Sequence, residues 1–189
     1  MIHLGNGTTL ADKDYLDTRL LKEGFYVRAG LRPETVAGDY STAEGINNII
    51  TGIGSHAGGG LTEAAGSWSF TTGWETKAYG NSALAEGQFT TVGEGGVAAH
   101  VEGIFSTANG EAAHAEGYAT AALGKYSHAG GYFTEAGDFQ TVVGKCNAAE
   151  AEALFIVGCG SADTNGENKI VQNCFSTGHN GTEAYIKVG

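Results

Sequence analysis

The side chains best equipped for chemistry are His100, His114 and His128, which recur at a fixed interval of fourteen positions, with Glu102 and Glu116 two places after the first two of them. His56, Phe70 and Leu84 occupy the same frame earlier in the chain, and Glu86 follows Leu84 as Glu102 follows His100. An imidazole beside a carboxylate can form an ion pair, share a proton, or ligate a zinc-class ion. On a strand, residues two apart lie on one face, so His114 stands beside Glu116, and stacking would place the next pair about 5 Å away. The column is therefore expected to form ion pairs and hydrogen bonds between chains that fix register, the alternative being a metal held on a symmetry axis. No spacing matches a catalytic zinc motif or a nucleophile with its base, so neither an enzyme nor a cofactor or dedicated metal site is expected. Because histidine changes charge near about pH 6.5, assembly should respond to acid, with the direction left open.

Other candidate chemistries are weaker. The series Thr62, Thr76, Thr90, Ser106, Thr120 and Thr134 could order water as an ice-binding face does. Its strand-mates are Ala64, Ala78, Val92, Ala108, Ala122 and Ala136, an inward pattern, so the hydroxyls are expected inside. The acidic repeats lack the GGxGxDx pattern of calcium-binding rolls. Trp68, Trp74, Tyr79 and Tyr126 could stack on sugars, although corner packing is the plainer reading. Cys146, Cys159 and Cys174 are odd in number and show no CxxC spacing, so they read as buried or incidental thiols.

The elements that must position these groups follow from a repeat. Gly45, Gly59, Gly73, Gly87, Gly103, Gly117 and Gly131 follow one another at steps of fourteen, with a single step of sixteen between Gly87 and Gly103. Each closes a five-residue pattern, STAEG, SHAGG, SFTTG, ALAEG, AHVEG, AHAEG and SHAGG, in which places one and three are small. Half-units such as TEAAG, TKAYG, STANG and TAALG fall half a period later. Glycine at such a frequency costs a helix about 1 kcal/mol each, whereas short strands turned at glycines accommodate it. Two strands per period, repeated seven times, describe a parallel β-solenoid whose two sheets lie too close for leucine inside. The glycines are expected at the corners, where a tight reversal needs positive φ or no Cβ. The two extra residues near 93–98 should bulge without breaking the stack.

Composition narrows the function. Gly, Ala, Ser and Thr make up 87 of 189 residues, too little large apolar material for an ordinary core of Leu, Ile and Phe. A net charge of -11 would repel nucleic acid and anionic lipid alike. No stretch is long and apolar enough to span a bilayer, and Met1 to Leu10 lacks the features of a secretory signal. Small inward residues supply little hydrophobic free energy against the cost of ordering the chain, so one coil alone looks under-stabilised. Ile46, Trp74, Phe89, Ile104, Phe105, Tyr118, Tyr132 and Phe133, just past the corner, point away from it and call for a partner surface, which a cyclic homo-oligomer would supply.

The units AHAEGYATAALGKYSHAGGYFTEAG, residues 113–137, resemble the head repeats of trimeric autotransporter adhesins, the YadA-like head family. The His-Ala-Glu variant followed by GKCN and ALFIVGCGSADTN is similar to bacteriophage tail and neck appendage proteins, some of which continue into a self-cleaving chaperone. The resemblance implies a left-handed parallel β-roll, a homotrimer, and attachment to a cell surface through a bacterial glycan or protein receptor. The outward columns of the repeat predict His56, His100, His114, His128, Glu86, Glu102, Glu116, Phe70 and Leu84 at the trimer interface. The lack of a coiled-coil stalk, a membrane barrel and a chaperone within these residues favours a phage or prophage appendage, or a fragment. The alternative function is a purely structural spacer or trimerisation segment whose binding domain lies elsewhere.

Three parts are expected: a cap over 1–40, the roll over 41–147, and a β segment over 148–189. The cap should hold a short helix from Asp12 to Lys22 and a degenerate first turn over 27–38. After Gly144, ALFIVG, NKIVQNCF and EAYIKV read as longer antiparallel strands, with Asn165-Gly166 and Asn180-Gly181 as turns.

Overall fold

The computed structural model describes residues 32, 35–163, 166 and 168–189, and among them all regular structure is β. The expected helix at Asp12–Lys22 lies outside the described residues, as do most of the expected first turn and Asn165 of the first expected hairpin turn. The chain alternates five-residue and two-residue strands. In order these are β1 Thr42–Ile46, β2 Ile49–Ile50, β3 His56–Gly60, β4 Glu63–Ala64, β5 Phe70–Trp74, β6 Lys77–Ala78, β7 Leu84–Gln88 and β8 Thr91–Val92. They continue as β9 His100–Ile104, β10 Thr107–Ala108, β11 His114–Tyr118, β12 Ala121–Ala122, β13 His128–Tyr132, β14 Glu135–Ala136 and β15 Thr141–Lys145. Three strands close the molecule: β16 Ala153–Cys159, β17 Asn173–His179 and β18 Ala184–Val188.

Odd-numbered strands from β1 to β15 stack in parallel in one sheet, and even-numbered strands from β2 to β14 in the other. This is a β-solenoid of about eight turns at roughly 14 residues each, one turn more than the seven units counted from glycines. The eighth long strand was hidden because its step is thirteen: His128 pairs with Thr141. The step of sixteen is absorbed after β8, and Leu84 still pairs with His100. Both irregularities leave the sheets in register.

The side chains that face inward in the two stacked sheets are small except for Ile50, which is as large as the leucine expected to be excluded and is fully buried among Ala43, Ala57 and Ala64. Ala43, Ala57, Thr71, Ala85, Val101, Ala115, Ala129 and Val142 line the long sheet, and Ile50, Ala64, Ala78, Val92, Ala108, Ala122 and Ala136 the short one. The threonine series is buried inside as expected, from Thr62 to Thr134. Its ends differ chemically. Buried Asn48 donates to the Glu44 and Gly59 carbonyls at 2.7 and 3.2 Å and accepts from the Thr62 amide and hydroxyl at 3.0 Å. At the other end Asn147 accepts from the Glu135 amide at 2.8 Å and donates to the Glu135 carbonyl at 3.0 Å. Two asparagines thus close the column, each accepting from a backbone amide and donating to a backbone carbonyl of the adjacent turn.

The corners depart from expectation. Gly45 through Gly131 do have positive φ, from 100° to 118°, but they sit at the fourth place of the long strands. Apart from Gly54, the left-handed residues of the corners carry side chains, among them Leu61, Glu75, Phe89, Phe105, Ala119 and Phe133 on one edge and Trp68, Ser82, Ala98, Ala112, Tyr126 and Phe139 on the other. Each such residue costs about 1 kcal/mol or more in conformational energy. A hydrogen bond to the preceding turn offsets it: Phe89 N to Trp74 O at 3.0 Å, Phe105 N to Gln88 O at 3.0 Å, Tyr126 N to Glu111 O at 2.8 Å. The glycines answer a different demand. A Cβ on Gly117 would strike the carbonyl oxygen of Gly131 in the next turn.

The stack ends in an antiparallel unit. β16 pairs in parallel with β15 and antiparallel with β17, which pairs antiparallel with β18. The turn at Asn180-Gly181 forms as expected, with Asn180 Oδ1 accepting from the amides of Thr182 and Glu183 at 3.1 and 2.9 Å. The segment NKIVQNCF becomes a strand only from Asn173, and Ile170 makes a single bridge to Ser161. The cysteine expectation needs correcting: Cys159 and Cys174 form a disulfide, their Cα atoms 5.6 Å apart. Antiparallel pairing of β16 with β17 brings them together, a register that spacing alone does not reveal. Cys146 is a free, buried thiol, as expected.

Candidate functional site

The imidazole column forms on the outward face of the long sheet, because alternation along each strand sends the second and fourth places of the repeat away from the core. His100 stacks on His114 with ring centroids 4.8 Å apart, and His114 on His128 at 4.9 Å. Phe70 extends the same column by stacking on His56 at 4.6 Å, and partly buried Leu84 stands between Phe70 and His100 in the sheet. The expected spacing of one strand per ring is present.

The carboxylate partners differ from expectation. Each histidine meets the glutamate of the preceding turn: His56 with Glu44 at 3.5 Å, His128 with Glu116 at 3.3 Å, and, in preference to the glutamate on their own strands, His100 with Glu86 at 3.4 Å and His114 with Glu102 at 3.9 Å. The reason is geometric. Residues two apart on a strand are separated by about 7 Å, whereas adjacent strands lie only about 4.8 Å apart. At 3.9 Å the His114 contact is too long for a hydrogen bond, and its Nε2 is buried without a partner.

Glu86, His100 and Glu102 bring one ligand atom each within 4.8 Å of one another, and so do Glu102, His114 and Glu116. These sets, sharing Glu102, are the groups among the described residues that could hold a metal ion. Beside them runs a ribbon of larger side chains along one corner edge. Phe89 stacks on Phe105 at 4.9 Å, Tyr118 on Tyr132 at 5.3 Å, and Tyr132 meets Phe133 edge-on at 4.7 Å. Ile46, Trp74, Ile104 and Phe105 in this ribbon are exposed. Trp68 and Tyr126 lie on the opposite corner edge, where Tyr126 stacks on Phe139 at 5.5 Å.

The environment lowers the His114 pKa. Burial is the largest cause, followed by the charges that His100 and His128 would carry; Glu116 and Glu102 oppose the shift. In the pH window between the folded value and the unfolded value of about 6.5, the unfolded chain binds more protons than the folded one. Stability then rises with pH, so the contribution is present above about 6.5 and is lost as pH falls through the folded pKa. The urea midpoint should accordingly drop on acidification below that value, and His114→Gln should flatten this part of the profile. An unchanged pH profile in the variant would show that His114 does not carry it.

Sequence reasoning missed Asn48, Asn147 and Gln140. The first two were visible as asparagine in a threonine column. Gln140 takes the place of Ser127 one turn on: its Oε1 accepts from the Gly137 amide at 2.8 Å within the shortened turn, and its Nε2 donates to the carbonyls of Glu150 and Ala153 in the following turn at 2.7 and 2.8 Å.

Fold and ladder together define a class: a β-solenoid repeat protein with a small-residue core, an outward imidazole–carboxylate column and an antiparallel end unit. Within that class no family model, no curated protein and no solved structure matches the chain.

Proposed function

We propose that the chain is one protomer of a homotrimeric, non-enzymatic spike module, a left-handed β-roll that presents a rigid repeating surface for attachment to a bacterial cell envelope. Its place is the tail or appendage of a virion, or an extracellular cell surface. The observation that carries this reading is the contrast between inside and outside: alanine and threonine fill the core, while the larger groups, including Trp74 and Phe105, are displayed along the stack. That distribution suits three coils leaning on a shared axis, with His56, Phe70, Leu84, Glu86, His100, Glu102, His114, Glu116 and His128 facing it. An N-terminal helix over Asp12–Lys22 would cap the open end of the sheets. The receptor is a bacterial surface glycan or protein.

Sedimentation at micromolar concentration should give three times the protomer mass of 19.3 kDa. A stable lone protomer would overturn the trimer. Binding to bacterial cells or to a glycan array then separates the attachment module from a spacer, since a trimer that binds neither is the spacer alone.

A further inference from the structure

We propose that Glu102, His114 and Glu116 form a binding site for one divalent zinc-class ion per chain. The cluster lies within a single protomer, so it stands or falls separately from the trimer. Two independent observations meet there. One ligand atom from each residue falls within 4.8 Å of the others, and His114 Nε2 is buried with no hydrogen-bond partner. A cation between the nitrogen and the two carboxylates supplies that partner.

The flanking chemistry points the same way. Among the described residues, Glu86, Glu102 and Glu116 form ion pairs only with histidines, so three consecutive turns carry carboxylate charge that no lysine or arginine neutralises there. Stacked between His100 and His128, His114 is disfavoured as a cation, and its ring keeps a lone pair for a metal at neutral pH. One imidazole nitrogen with two carboxylate oxygens selects zinc-class ions over calcium or magnesium, which take oxygen alone. Ligands about 2.0–2.1 Å from zinc in a tetrahedron lie roughly 3.3 Å apart. Closing from 4.8 Å calls on the Glu102 and Glu116 side chains, which are 44% and 45% exposed, and draws Glu116 from its 3.3 Å contact with His128 Nε2. The fourth position is open to water or to a group from another copy.

The test is a titration of the chelator-stripped full chain with Zn²⁺ by calorimetry and with Co²⁺ by visible absorption, at neutral pH. One ion per chain is expected, with the intense visible bands of four-coordinate cobalt. His114→Ala and Glu116→Gln should each weaken binding by about tenfold or more, and His179→Ala, an exposed histidine of β17 outside the column, should leave it unchanged. Glu116→Gln alters an exposed, isosteric group, so it decides the matter if His114→Ala fails to fold. Absence of binding up to millimolar Zn²⁺, or equal binding by wild type and Glu116→Gln, overturns the site.

Discussion

Gly110→Ala is expected to destabilise the stack by about 3–5 kcal/mol and to lower the thermal midpoint by roughly 10 °C. A Cβ on Gly110 would overlap the carbonyl group of Gly124 and lie 2.8 Å from the amide nitrogen of Lys125. Both obstacles are backbone, so no side-chain rotation relieves them. Only separation of the two turns would, and that would break the hydrogen bonds from Asn109 N and Gly110 N to Ala122 O, at 2.9 and 3.4 Å. In a solenoid, stability is the sum of turns and the interfaces between neighbours, so a wedge at this interface uncouples the two halves. Urea unfolding followed by far-ultraviolet circular dichroism should become broader or biphasic. Gly137→Ala is the matched control: its Cβ would meet only the end of the Gln140 side chain, with Oε1 at 3.2 Å, and a side chain can yield. The expected cost there is about 1 kcal/mol or less. Equal losses in the two variants would show that close approach of neighbouring turns is not what demands glycine.

Reduction of the Cys159–Cys174 bridge is the second large effect. The cysteines are separated by 15 in sequence, and closing a loop of that size is worth about 3 kcal/mol in the chain-entropy account. The loss should be local. β16 is bound on its other side by β15, while β17 pairs with no strand of the solenoid and meets the segment after β15 through few bonds, such as those Asn173 exchanges with Ala148 at 2.9 and 3.1 Å, so the stretch between the cysteines should become open to protease before the roll unfolds. A Cys159→Ser, Cys174→Ser double variant should reproduce the effect of reductant, and reductant should then do nothing further. Thiol titration in denaturant without reductant should find one free thiol per chain, that of Cys146. Three free thiols would remove the bridge.

The roll was legible in the sequence because its core is written twice in every turn: small, outward, small, outward, glycine. Alternation settled which face Ala115 and His114 take, and the constant step between units settled their stacking partners. What escaped were features governed by contact between turns. That His100 meets Glu86 rather than Glu102 of its own strand depends on the ratio of strand spacing to residue rise. The left-handed state of Phe89 and Phe105 depends on carbonyls offered by the turn before. The Cys159–Cys174 pair depends on the antiparallel register of β16 on β17, which shifts between Val157 and Gly158 and which no repeat announces. The eighth strand was hidden because one residue is missing from the turn before Thr141, where Gln140 Oε1 accepts from the Gly137 amide.

The places where chain length varies have a consequence of their own. A step of sixteen before β9 and one of thirteen before β15 leave Leu84 opposite His100 and His128 opposite Thr141, so the sheets do not register how long a turn is. Duplicating or deleting a whole unit would then change the height of the column by one strand spacing, about 4.8 Å, and disturb nothing above or below. Such a molecule is graduated like a measuring rod, and its reach can be adjusted in equal increments without redesign of its ends.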